Sequence, residues 1–266
     1  KVAIVSRKQQ STRNRILGVK TFRDSQIVFY DTPGFLKKKE KVDSSVSEAD
    51  IVLLLVDAAQ AVSDSNFMTK LTESLKLRKI SSPSCIALNK VDLVDKVKLL
   101  PLIASLQEEF SEDEVLFIPI SAQTGDGVEY LLEMLSEKLP KGPWYFPEGM
   151  LSDQSEQFLA AEIIREAIFE RVHQELPYSS AVQITGWEEK GKHLHIHANI
   201  LIEKDSQKGI IIGKKGAALK AIGKAARIAL EKRFSVPVYL ELFVKVEAEW
   251  TRSRRGMSRA GYESVK

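Results

Sequence analysis

Cys85-Ile-Ala-Leu88 runs without a break into Asn89-Lys-Val-Asp92. An apolar run of this length reads as a strand buried on both faces, and the polar tetrapeptide behind it as the loop at its carboxyl end. The same pattern recurs on either side. Val2–Val5, Ile27–Tyr30, Ile51–Val56 and Leu116–Ile120 are further strand-like runs, and helical patterns at Ser65–Leu77, Val97–Phe110 and Val128–Leu139 lie between them. Continuous apolar strands alternating with helices predict an α/β fold, a mostly parallel sheet with helices on both faces. Ligands of such sheets bind at the carboxyl ends of the strands, so the residues behind each run are the candidates for function.

Behind Ile27-Val-Phe-Tyr30 stands Asp31-Thr32-Pro33-Gly34. A carboxylate at a strand end can hold a hydrated Mg²⁺, and a glycine lets a backbone N–H approach a terminal phosphate. In Asn89-Lys90-Val91-Asp92 the Asp92 carboxylate can accept two hydrogen bonds, from the N1–H and N2–H₂ of guanine, which adenine does not offer. Behind the Leu116–Ile120 run, Ser121-Ala122-Gln-Thr-Gly125 carries backbone N–H groups suited to the guanine O6. Any one of these could be an ordinary turn. Three in this order, each behind a strand, argue against coincidence.

The 266 residues include 39 Lys and Arg against 36 Asp and Glu, a net charge of +3, and 44% are hydrophobic. That excludes a disordered or collagen-like chain. A single cysteine, Cys85, excludes a disulfide framework or a Cys-ligated zinc site and predicts a core position. No apolar run approaches the roughly 20 residues of a membrane helix. The charge is uneven. Residues 1–150 carry 20 basic and 21 acidic side chains, and residues 151–266 carry 19 and 15. No acidic residue occurs from Ser206 to Leu230, where Lys208, Lys214, Lys215, Lys220, Lys224 and Arg227 lie. Such a block is a footprint for a polyanion or a solvated helix face. Between the halves, 139–149 holds three of the nine prolines together with Trp144-Tyr-Phe146, a linker packed on a surface.

The second half reads as a helix near 155–173, strands at Ser179–Trp187 and His193–Glu203, then Gly209-Ile210-Ile-Ile-Gly213-Lys214-Lys215-Gly216, a helix to Phe234 and a strand at Val238–Val246. In the last helix Lys220, Lys224 and Arg227 share one face and Leu219, Ile222, Ala226 and Leu230 another. His193, His195 and His197 alternate on one strand. Same-face neighbours are nearly 7 Å apart, which favours a solvent-facing row over a zinc site.

The three strand-end motifs resemble those of the TRAFAC-class GTPases. The order α-β-β-α-α-β, with a GxxG between the last two helices, resembles the type II KH domain, whose loop clamps about four nucleotides of single strand. A GTPase domain followed by a KH domain resembles the Era family of small-ribosomal-subunit assembly GTPases. The likeness extends to Phe158-Leu-Ala-Ala-Glu-Ile-Ile-Arg-Glu166, Glu175-Leu-Pro-Tyr178, Pro237–Val246 and Gly261-Tyr262. The Der family, with two G domains and no comparable GxxG, is the poorer match.

The resemblance implies a GTPase domain over 1–139, a linker over 140–154, an α+β type II KH domain over 155–250 and a basic tail over 251–266. It implies GTP or GDP and Mg²⁺ as ligands, held by Asp31, Thr32, Pro33, Gly34, Phe35, Asn89, Lys90, Val91, Asp92, Ser121 and Ala122, with Thr12 and Asp31 on the metal. Phe35 stands where Ras-like enzymes keep a water-orienting Gln nearby, so slow intrinsic hydrolysis is expected. RNA would be held by Ile210, Gly213, Lys214, Lys215, Gly216, Lys220, Lys224 and Arg227. The implied partner is small-subunit ribosomal RNA near its 3′ end, bound better in the GTP state by a monomer in the cytoplasm. Arg252, Arg254, Arg255 and Arg259 would support RNA binding or touch a membrane surface.

One departure stands out. The family follows its first strand with the phosphate loop G-x-x-x-x-G-K-[ST], and no such motif occurs in the 266 residues. Ser6-Arg-Lys-Gln-Gln-Ser-Thr-Arg13 follows Val5 directly and resembles the family's switch I. The expectation is a join at Val5–Ser6 across missing residues rather than a natural pseudo-GTPase. Two other readings stay open, a nucleotide-independent KH module and a membrane-surface regulator.

Overall fold

The computed structural model describes residues 16–31, 49–77, 83–110, 114–172, 176–250 and Met257. Thr12, Thr32, Pro33, Gly34, Phe35, the Val5–Ser6 junction, the Val2–Val5 run and the arginines of the tail lie outside them.

The described residues fall into two compact units, which divide between Met150 and Leu151, apart from Ile16–Gly18 and Asp31, which group with the second. In the first, β3 (Leu53–Asp57), β4 (Cys85–Asn89) and β5 (Leu116–Pro119) form a parallel sheet in that order. β4 is central, and its side chains are buried on both sides. Ile86 and Leu88 pack with Leu99, Leu102 and Leu106, while Cys85 and Ala87 pack with Ile118, Leu131 and Leu135. The first set comes from α3 (Lys96–Glu109), whose face of the sheet also carries α1 (Ala58–Ser63) and α2 (Phe67–Leu77). In the second, Leu131 and Leu135 come from α4 (Val128–Lys138) and Ile118 from the neighbouring strand β5. Helices cover both faces, as the continuous apolar runs require.

Ahead of this sheet, β1 (Ile16–Phe22) and β2 (Ser25–Asp31) form a two-stranded sheet around the turn Arg23-Asp24. The linker segment docks on β2. Gln26 Oε1 accepts from the N–H groups of Tyr145 and Phe146 (3.1 and 3.0 Å), Gln26 Nε2 donates to Phe146 O (2.8 Å), and Trp144 Nε1 donates to Asp24 O (3.3 Å).

Cys85 is fully buried, and burial pushes its thiol up to about 11. Its ionisation in the unfolded chain near 9 therefore precedes that in the folded one. The contribution to stability is complete below pH 9 and falls as pH rises from about 9 towards 11. Iodoacetamide at pH 8 is expected to leave Cys85 intact in the native protein and to alkylate it in denaturant. Native-state alkylation at the unfolded rate would contradict this burial.

In the second unit, α5 (Glu156–Arg171) precedes β6 (Ala181–Lys190), β7 (His193–Ile202), α6 (Asp205–Ile212), α7 (Ala217–Phe234) and β8 (Val238–Val246). β7 lies between antiparallel β6 and parallel β8. Leu194, Ile196, Ala198 and Ile200 of β7 face inward onto Ala160, Ile164 and Ile168 of α5 and Ile222, Ala226 and Leu230 of α7. The alternate residues look outward with separate partners. His195 stacks on Tyr239 with ring centroids 5.0 Å apart, His197 Nδ1 lies 2.9 Å from Glu241 Oε2, and His193 is exposed.

Candidate functional site

The parallel register sets Asp57 beside Asn89 and Leu88 beside Pro119, so the loops behind β3, β4 and β5 emerge at one edge of the sheet. Hydrogen bonds tie these loops together. Asn89 Oδ1 accepts from Lys90 N (2.8 Å) and from Ala122 N (2.9 Å), which joins the loop behind β4 to that behind β5. Val91 N donates to Ile120 O (3.2 Å) on the same seam. Lys90 is left-handed, with φ 65°, and turns the chain sharply into the 3₁₀ turn Val91–Leu93. Asp92 is exposed in that turn, and its carboxylate has no protein partner among the described residues. Ser121 is buried; its Oγ accepts from Thr124 N (3.2 Å) and its N–H donates to Asp126 O (2.8 Å), which shapes the loop that presents Ala122.

Asp57, which the sequence reading passed over, belongs to this group. Lys90 Nζ donates to Asp57 Oδ2 (2.5 Å), and Asp57 Oδ1 caps α1 by accepting from Gln60 N (3.1 Å). Burial alone would raise its pKa. The Lys90 hydrogen bond and charge and the backbone N–H groups of Gln60 and Ala59 outweigh it and hold the carboxyl below its usual value. The signal was present in the sequence: Asp57 closes the run Ile51–Val56 just as Asp31 closes Ile27–Tyr30. Asp31 is the last residue of β2.

The residues present fit a guanine. An exposed carboxylate, unpaired among the described residues, stands beside a loop whose position is fixed by Asn89. Of the residues expected on the phosphates and Mg²⁺, only Asp31 falls among those described.

The second group of candidates surrounds the GxxG. Gly213 ends α6 at φ 71°, ψ 175°, Lys215 is left-handed at φ 51°, and Gly216 (φ 78°, ψ 8°) caps α7. Lys214 and Lys215 are exposed at the amino end of α7, where the helix dipole also favours an anion. From there a groove runs along α7, lined by Gly216, Leu219, Lys220, Gly223, Lys224, Arg227, Leu240 and Leu242. Cations form one wall and leucines the floor. Gly223 faces Leu242 across this floor, where a Cβ would make only an ordinary contact, 3.5 Å from Leu242 Cδ1. Ile210 is exposed on α6, and Arg227 also lies 3.6 Å from Glu231. The fold thus joins the loop and the helix face into one surface.

Comparison with known proteins covers both halves of the chain. The family described as Elongation factor Tu GTP binding domain matches residues 5–141, and the KH domain family matches 175–251. The GTPase Era of Syntrophus aciditrophicus (strain SB) is 45% identical over 272 residues, covering 98% of this chain and 87% of that protein. That of Geobacter metallireducens is 42% identical, covering 98% and 89%. Among solved structures, Era in complex with MgGDPNP and nucleotides 1506–1542 of 16S ribosomal RNA superimposes with a TM-score of 0.88 at 35% identity, over 99% of this chain and 91% of that one. A variant of Aquifex aeolicus Era bound to GDP and AlF₄⁻ gives 0.87 at 35%, with the same coverage.

Proposed function

Because the chain belongs to the GTPase Era family, we propose that it is a GTP-hydrolysing protein that binds small-subunit ribosomal RNA near its 3′ end and acts in assembly of the small subunit. The observation that carries the nucleotide half is the Asn89 bridge. With Oδ1 committed to Lys90 N and Ala122 N, the amide Nδ2 is left to donate to a purine N7 while Asp92 accepts from guanine N1–H and N2–H₂. Adenine would set an unprotonated N1 and a C2–H against the Asp92 carboxylate, so the site rejects it by leaving that acceptor unpaired once the base covers it.

Mg²⁺, when bound, neutralises charge on the phosphate oxygens. Asp31 and Thr12 are its proposed ligands, and Thr32, Pro33, Gly34 and Phe35 the proposed phosphate-side segment. This chain's own contribution is to orient the base, which fixes where the phosphates lie relative to the end of β2.

In the RNA half, Gly213–Gly216 clamps the backbone, Lys220, Lys224 and Arg227 face phosphates, and bases lie on Leu240 and Leu242. The proposed division is a GTPase domain to residue 139, a linker to 154, a KH domain to 250 and a basic tail. The neighbour solved with 16S ribosomal RNA supports that partner. Among the described residues no helix is long and apolar enough to cross a membrane. We place the protein in the cytoplasm as a monomer, with any membrane contact peripheral and through the tail.

Titrating the full chain with GTP, GDP and ATP tests the reading. Saturable binding of the two guanine nucleotides with ATP excluded is expected. RNA binding without any guanine nucleotide binding would favour the nucleotide-independent module. Flotation with anionic liposomes that RNA does not compete would favour the membrane regulator.

A further inference from the structure

We infer that Asp57 is a positioning residue of the guanine-nucleotide site, acting through Lys90, whose side chain it holds across the carboxyl ends of β3 and β4 before the nucleotide arrives. This rests on the reading of Asn89–Asp92 as the base-binding segment.

Asp57 is the register partner of Asn89, so its backbone stands one strand spacing, about 4.8 Å, from the start of that segment. Lys90 leaves the backbone from a left-handed residue and returns over this gap, and its ammonium lands 2.5 Å from Asp57 Oδ2. Its methylene stem therefore crosses from the base-binding loop behind β4 to the end of β3. A lysine in this place without a partner would have four side-chain torsions to freeze on binding, and an ion pair formed in advance removes that cost from the binding step. Asp57 is itself fixed, because its other oxygen caps α1. Two bonds to one carboxylate thus couple the helix behind β3 to the base-binding loop behind β4.

Asn is as good a helix cap as Asp but carries no charge. Asp57→Asn therefore keeps the cap and loses the ion pair, which separates positioning from folding. The test measures equilibrium binding and dissociation of fluorescent mant-GDP by the full chain as wild type, Asp57→Asn, Lys90→Ala and the double variant, with thermal unfolding of each. Expected are an unchanged Tm for Asp57→Asn, mant-GDP binding weaker by about five- to tenfold through faster dissociation, and a double variant no weaker than Lys90→Ala alone. Asp57→Glu, which retains a carboxylate, is expected to recover part of the loss.

If wild type binds mant-GDP and Asp57→Asn binds it equally or more tightly, the inference is overturned. Losses that add in the double variant overturn it too, since Asp57 would then act independently of Lys90. If wild type itself fails to bind mant-GDP, the underlying reading of Asn89–Asp92 falls instead.

Discussion

Asp92→Asn is expected to turn the base preference from guanine towards xanthine, with the ratio of GTP to XTP affinities changing by about 10⁴-fold. The carboxylate accepts two hydrogen bonds from guanine, and the amide of the variant offers its N–H₂ in place of one acceptor, which suits the xanthine C2 carbonyl. The structure makes this substitution unusually clean. Asp92 is exposed and bonds to no protein group among the described residues, whereas the loop is held by Asn89, Val91 and Ser121. Its Tm should therefore stay at the wild-type value while the nucleotide preference moves. Competition of GTP against XTP for the site is the measurement. A variant with unchanged GTP affinity would remove the Asn89–Asp92 segment from the nucleotide site.

Gly213→Asp is expected to weaken RNA binding on the order of 100-fold, the second large effect. Gly213 sits at φ 71°, ψ 175°, a region open to essentially glycine alone. A Cβ there would come 2.7 Å from Ala218 Cβ and 2.9 Å from Ala218 N, so the turn has to move. The new carboxylate would also face the phosphates. Gly216 provides the control, because its left-handed φ of 78° is tolerated by Asn and a Cβ there meets nothing within 4 Å. Lys214→Ala with Lys215→Ala keeps the turn and removes charge alone. The slope of log affinity against log salt should fall by roughly 0.7 for each lost contact to single-stranded RNA. Fluorescence anisotropy across a salt series reads all three. A slope unchanged in the lysine variant would make the loop a purely structural turn.

β4 was legible in the sequence because burial on both faces forces an unbroken apolar run, and β3 and β5 because they are apolar runs of strand length, although Leu55 of β3 is exposed. Their carboxyl ends pointed at Asn89, Asp92 and Ala122 before any geometry was known. The β1–β2 hairpin was only half legible, with β2 read as the run Ile27–Tyr30 and β1 not read. Its turn is Arg23-Asp24 rather than a glycine or asparagine pair, and Arg23 takes φ 52° regardless. α1, six residues long, is too short to show a period, and its only mark is the cap Asp57. For the same reason Asp57 escaped notice: a cap explains an Asp at a strand end, and only the register reveals that its second oxygen holds Lys90. In the KH half the helix-to-helix spacing and GxxG exposed the surface, but the leucine floor did not stand out. Leu240 and Leu242 look like core positions of any strand until α7 is seen to approach them at Gly223.

The account joins a guanine-reading edge and an RNA-clamping groove in one chain, and the most direct test asks whether each ligand responds to the other. Binding of a single-stranded RNA with the 3′-terminal sequence of small-subunit ribosomal RNA is measured for the full chain with GTP, with GDP, with ATP and with no nucleotide. The account predicts saturable binding that GTP tightens relative to GDP, and that ATP leaves at the nucleotide-free value. An RNA affinity identical in all four conditions, or no affinity for this RNA at all, would contradict it.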